Sequence, residues 1–282
     1  MRPNQPDNRN RPAATDEALR DARRALETKR PAEAERIATD LLKTNSGNRE
    51  AAKVLGYALI MLGRVGEATA LLEKAARGSH DPEIDMALGI ALRQSGRTDE
   101  AIAALKRAVK RKPPFPMAFY ELGQSLAALG RIDEAIDVFT QGCTLAPGMA
   151  DMAALLGKCY LTIGDRKNAA DSFRPALSLA PGHYAAAEAL AVVLTDDRAY
   201  TEAAPLFRAL VTADPGNAHV RLGLANCLVN LGDDDGARAA MRAASARGPK
   251  YYGQALRIAI GAARGRFWLR PSAAAKAIKG NS

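Results

Sequence analysis

The chain has 282 residues, 48% of them hydrophobic but only 5% aromatic, with 40 basic and 31 acidic side chains and a net charge of +9. No stretch approaches the roughly 18 consecutive apolar residues of a membrane span, and the N-terminus MRPNQPDNRNRP lacks the apolar core of a secretory signal. Membrane-integral and secreted classes are therefore set aside, and a soluble, cytoplasmic protein is expected.

The positive charge is concentrated at one end. From Gly236 onward there are ten basic residues and no acidic one, which leaves residues 1–235 with 30 basic against 31 acidic side chains, a sum of −1. Three cysteines, Cys143, Cys159 and Cys227, cannot all pair with one another, and they read as reduced apolar residues rather than as a metal or redox site.

Residues 1–14 hold arginine and proline without an apolar pattern, which predicts a disordered leader. From residue 15 to residue 251 the chain repeats every 34 residues, with one residue deleted: 15–48, 49–81, 82–115, 116–149, 150–183, 184–217 and 218–251. Position 8 of the unit is always small (Ala22, Gly56, Gly89, Gly123, Gly157, Ala191, Ala225) and position 20 is always alanine. Position 7 is leucine in six copies, and position 24 is large and apolar in six: Leu72, Leu105, Phe139, Phe173, Phe207 and Met241. This pattern predicts two short helices per unit, brought close by the small residues and sealed by the large ones. Glycine at position 15 (Gly63, Gly96, Gly130, Gly164, Gly232) supplies the positive-φ residue that ends the first helix, and proline at position 32 stops the second.

The first copy departs most, with Asp21 at position 7 and Lys29 at position 15, as a terminal cap with a polar outer face would. The third ends in Lys106, Arg107, Lys110, Arg111 and Lys112, read as cations complementing a helix C-terminus. Within the second helix of the fifth copy, Pro175 removes the bond to the Asp171 carbonyl, which predicts a kink. Arg198 takes the place of the turn glycine in the sixth, so that turn is expected to be strained or differently built. Asp233, Asp234 and Asp235 in the seventh read as helix caps and dipole complements, since the alternating oxygens of a calcium loop are missing. Residues 252–264 repeat only the first-helix pattern, predicting a capping helix. A basic aromatic tail, 265–282, carries Phe267, Trp268 and Leu269 between Arg266 and Arg270.

The L-G at positions 7 and 8, G at 15, E-A at 19 and 20, F at 24 and P at 32 resemble the tetratricopeptide repeat over residues 15–251. The alanine- and arginine-rich composition is similar to that of bacterial members. The resemblance implies an all-α fold, a right-handed α-solenoid of seven helix-turn-helix repeats plus a C-terminal capping helix, with the first helix of each pair lining a concave groove. Groove contacts in the family come from positions 2, 5, 6, 9, 12 and 13. Carried over, these give Lys53, Tyr57, Met86, Ile90, Arg93, Gln94, Tyr120, Glu121, Gln124 and Lys158, with Asn226 and Asn230 further along. The carboxylate clamp of chaperone-binding members is not reproduced: Lys53 is in place, but Tyr57, Ala87, Met117 and Glu121 occupy the other clamp positions.

No nucleophile motif, phosphate loop or metal-ligand pair occurs, and His80, His183 and His219 fall at repeat boundaries as surface turn residues. The expected protein is a non-catalytic scaffold or adaptor without cofactor or metal, holding a peptide or helical segment of a partner through Tyr57, Met86, Ile90 and Tyr120. The alternative is a peripheral membrane adaptor at the inner face of the membrane. There Arg264, Arg266, Phe267, Trp268, Arg270, Lys276 and Lys279 would meet anionic lipid, each basic contact worth about 1 kcal/mol. Against that stands a plainer role, in which Trp268 folds back onto the capping helix. A near-neutral body without a basic stripe argues against nucleic acid. The oligomeric state is not specified by the sequence.

Overall fold

The computed structural model describes residues 11–261 together with Ala275 and Ile278. Among these residues the first-of-pair helices are α1 (Arg11–Glu27), α3 (Arg49–Met61), α5 (Pro82–Gln94), α7 (Pro116–Ala128), α9 (Ala150–Thr162), α11 (Tyr184–Asp196) and α13 (Ala218–Leu231). Their partners are α2 (Pro31–Thr44), α4 (Val65–Ala76), α6 (Thr98–Lys110), α8 (Ile132–Leu145), α10 (Arg166–Leu179), α12 (Tyr200–Ala213) and α14 (Asp234–Ser245), and α15 (Pro249–Gly261) follows alone. From α3 to α13, every first-of-pair helix starts on the residue that opens the predicted copy.

The ends differ from expectation. Residues 11–14, assigned to the leader, already belong to α1, because Pro12 suits the first turn of a helix and two alanines follow it. The capping helix begins at Pro249 rather than at residue 252, since proline is pre-organised for a first helical position. Residues 1–10 and 262–264 lie outside the described residues.

Two compact units divide the chain, α1–α8 within residues 1–146 and α9–α15 within residues 147–282. In the first, α1 touches α3, α3 touches α5 and α5 touches α7, whereas α2, α4, α6 and α8 do not touch one another. The same holds in the second for α9, α11, α13 and α15 against α10, α12 and α14. Each unit is thus an α-solenoid segment whose first-of-pair helices crowd together on one face.

Packing follows the small-large rule. A Cβ built on Gly123 would lie 2.4 Å from the Phe139 ring, and Phe139 is fully buried. Where position 8 is Ala191, the ring of Phe207 lies instead against Gly223 of α13. Cys159 and Cys227 are buried, Cys143 is half-buried, all three are free thiols, and burial pushes each thiol up from its ordinary value.

Position 15 keeps one conformation whatever occupies it. Lys29 and Arg198 have φ of 56° and 60°, beside 75° to 85° at Gly130, Gly164 and Gly232. The turn is therefore the same turn, built with a strained residue. Because a left-handed conformation costs an L-residue roughly 1–2 kcal/mol, partly offset by glycine's greater unfolded entropy, Arg198→Gly is expected to stabilise the chain by about 0.5–1 kcal/mol in urea denaturation.

At Pro175 the structure shows a continuous α10, and α12 runs equally unbroken through Pro205, which the sequence reading passed over. Asp171 and Thr201, whose carbonyls lose their bonds, are exposed, so water can replace the missing donors.

The two units start their second helices differently. Arg30, Arg64, Arg97 and Arg131 open α2, α4, α6 and α8 and pair with Glu33, Glu67, Glu100 and Glu134 one turn on. Arg64 also reaches Glu35, and Arg97 reaches Glu73, so the pairs link neighbouring repeats. In the second unit Asp165 and Asp233 cap α10 and α14 by accepting backbone N–H bonds from Asn168 and Gly236. Bonds from Arg64, Arg97 and Arg131 hold Glu67, Glu100 and Glu134 below the ordinary value of 4.5. Their stabilisation is present above that value and is lost as pH falls through the depressed ones. The melting temperature of a Glu67→Gln, Glu100→Gln variant should accordingly depend less on pH across that acid range than that of the wild type.

Candidate functional site

Of the twelve residues expected to line a groove, nine lie on α3, α5 and α7 of the first unit, and the structure gives them unequal roles. Lys53 and Met86 are buried, at 7% and 4% exposure. They are corrected from docking residues to packing residues. Lys53 Nζ lies 3.0 Å from carboxylate oxygens of both Asp81 and Glu83, and 3.1 Å from Glu50. The sequence reading missed these partners because Asp81 and Glu83 lie beyond the helix that carries Lys53, at the start of α5. Burial would lower the ammonium's pKa, but the three carboxylates outweigh it and hold it above the ordinary value.

Tyr57, Ile90, Arg93, Tyr120, Glu121 and Gln124 are half-buried and Gln94 is exposed. Arg93 Nη2 donates to Glu121 Oε2 at 3.1 Å, joining α5 to α7. The pair is incompletely satisfied: Arg93 Nε is buried without an acceptor, and burial pushes the Glu121 carboxyl up despite Arg93. The Tyr57 phenol is held well above its ordinary value, first by burial and then by Glu83, Glu121 and Asp81, so it stays a neutral donor. One face thus brings together an aromatic side chain from α3, an aliphatic one and a guanidinium from α5, and an aromatic and a carboxylate from α7.

In the second unit Lys158 is exposed on α9, while Asn230 Nδ2 donates to the Asn226 carbonyl at 2.8 Å on α13. Two exposed apolar residues were passed over, Val192 on α11 at 48% and Ile260 on α15 at 47%. Both occupy position 9, so the family's position rule applied to every copy would have found them. His183, read as a surface turn residue, accepts from Ala186 N through Nδ1 and places Nε2 3.2 Å from Asp151, tying α11 to α9. Asp85, in α5, is a buried carboxylate at 2% exposure held by Arg107 and Arg111 at the end of α6, both at 3.0 Å. Part of the basic cluster there therefore serves an inter-helix ion pair as well as the helix dipole.

Arg264, Arg266, Phe267, Trp268, Arg270, Lys276 and Lys279 lie outside the described residues. Of the tail, Ile278 is buried at 3% against a cluster that includes Leu222, Met241, Ala255 and Ala259. Among the described residues no helix is long and apolar enough to cross a membrane.

No curated protein matches the chain. Among solved structures it is similar to the C-terminal part of a TPR repeat-containing protein from Cytophaga hutchinsonii, at 17% identity and a TM-score of 0.65, covering 84% of this chain and 98% of that one. It is also similar to PilF of Pseudomonas aeruginosa, at 19% identity, a TM-score of 0.59 and coverage of 73% and 95%. A thermophilic TPR protein of Thermus thermophilus follows at 23% identity, a TM-score of 0.53 and coverage of 64% and 99%. These likenesses bear on the fold alone. Two tetratricopeptide repeat family models match, one over residues 86–150 and 155–218, the other over residues 25–91 and 194–258. With landmarks, helix pairs and family models in agreement, the chain belongs to the tetratricopeptide repeat family.

Proposed function

We propose that this chain is a non-catalytic scaffold that holds a segment of a partner protein on the shared face of α3, α5 and α7. Its family is a protein-interaction module, and the reading rests on one observation. The incompletely satisfied Arg93–Glu121 pair sits among half-buried Tyr57, Ile90 and Tyr120, an apolar centre with a polar element at its middle. Aromatic and aliphatic anchors supply affinity there, and Gln94 and Gln124 supply hydrogen bonds at the edge.

A photo-crosslinking amino acid at Gln94 or Gln124 should trap a defined partner in native lysate. Tyr57→Ser, Ile90→Ser and Tyr120→Ser combined should remove that crosslink while far-UV circular dichroism stays unchanged. Met86 is left intact because its burial makes its replacement a folding test. An identical crosslink in the triple variant would exclude this face.

A further inference from the structure

Three clefts among the described residues of the first unit differ in charge balance. One sets Arg23, Lys53 and Lys112 against Glu50, Asp81 and Glu83. Another sets Arg77 and Arg107 against Glu73 and Glu100. The third, of about 550 Å³, lies between the end of α2, the start of α3 and the end of α4, and it is lined by Arg49, Lys74 and Arg77 with no acidic residue. None of these three cations makes an ion pair among the described residues, although Arg23, Arg64, Arg97, Arg111 and Arg131 of the same unit all do. Leu42 and Leu71 contribute apolar wall, and Asn48 caps the first turn of α3 beside the cations.

We propose that this cleft binds an acidic segment of a partner protein, its carboxylates meeting Arg49, Lys74 and Arg77 while an apolar side chain rests on Leu42 and Leu71. Three cations without an ion pair call for an anionic occupant, Arg77 also bordering the neighbouring cleft beside Glu73 and Glu100 while Arg49 and Lys74 face this one alone. The volume is that of a site for several side chains rather than for one small ion, and the apolar wall rewards a ligand that carries carbon next to its charge. Nucleic acid needs basic surface continued along the solenoid, and carboxylates interrupt it in the other two clefts, Glu73 and Glu100 in one and Glu50, Asp81 and Glu83 in the other. None of Tyr57, Ile90 and Tyr120 lines this cleft, so it is a second surface, independent of the face of α3, α5 and α7.

The test is fluorescence anisotropy with the full chain and a labelled peptide of sequence Asp-Leu-Glu-Glu-Leu-Asp, beside its uncharged counterpart Asn-Leu-Gln-Gln-Leu-Asn. The acidic peptide should bind and weaken with added salt, and the uncharged one should not bind. Lys74→Glu with Arg77→Glu should weaken binding at least about tenfold, as expected for reversing two steering charges. The combined serine variant of Tyr57, Ile90 and Tyr120 should bind as the wild type does. Both cations are exposed, and Lys74→Gln with Arg77→Gln provides a milder variant whose fold is checked by circular dichroism. Equal binding of the two peptides, or wild-type binding by both double variants, would overturn the proposal. So would displacement of the peptide by an equimolar oligouridylate or by anionic vesicles.

Discussion

Phe139→Ala should destabilise the chain by about 3–5 kcal/mol, the range for emptying a fully buried aromatic site. The ring has 0% exposure and lies over Gly123, with its nearest atom 2.4 Å from where a Cβ would stand, so backbone rather than a flexible side chain forms that wall of the cavity. Little can relax into the space. Because each repeat leans only on its neighbours, the loss should appear in urea as a separate early transition of α7 and α8 rather than as a uniform shift. A rescue is available from the chain itself: in α13 and α14 the fully buried Ala225 and Met241 fill the equivalent positions. Gly123→Ala combined with Phe139→Met should therefore recover much of the stability. A single unshifted transition for Phe139→Ala would show that the ring is not the keystone of this pair.

Lys53→Met should cost roughly 2–3 kcal/mol, below the full value for breaking a buried ion pair, because Glu50, Asp81 and Glu83 keep 26% to 38% exposure and can rehydrate. What remains is three carboxylates facing one another. Raised in the folded state, the Lys53 pKa gives stabilisation that is complete below its ordinary value of 10.5 and is lost only as pH rises through the raised one. Across neutral pH the deficit should therefore be flat. Adding Glu50→Gln, Asp81→Asn and Glu83→Gln should restore most of the loss, since asparagine can still cap α5. Thermal melts at neutral pH read both effects, and a deficit that persists in full after the three carboxylates are neutralised would sink this account of Lys53.

The helix register was legible in the sequence because six of the seven pairs bury one small and one large residue at fixed positions, as Gly123 and Phe139 do. Helix starts at Arg49, Pro82 and Pro116 followed from that alone. Charge was not legible. Lys53 sits at a position whose side chains face the groove in relatives, but its fate is decided by Asp81 and Glu83 at the start of the next first-of-pair helix, and position within a unit carries no information about neighbours. Asp85 likewise stands where five of the other six copies place alanine or phenylalanine, a visible irregularity whose partners, Arg107 and Arg111, are set by the fold. Arg198 shows the converse: the turn's geometry outlasts the residue best suited to it.

The arginine-led helix starts of the first unit and the aspartate-capped starts of the second divide the molecule by its response to its medium. Ion pairs between exposed side chains fade as mobile ions crowd around them, whereas a carboxylate bonded to a backbone amide at contact distance is shielded far less. Rising ionic strength should thus speed amide hydrogen exchange in the opening turns of α4 and α6 while leaving those of α10 and α14 nearly unchanged. A change in surroundings alone would then loosen the half of the array that carries Tyr57, Ile90 and Tyr120, so that the partner-holding face proposed for it would be adjustable without any chemical modification of the chain.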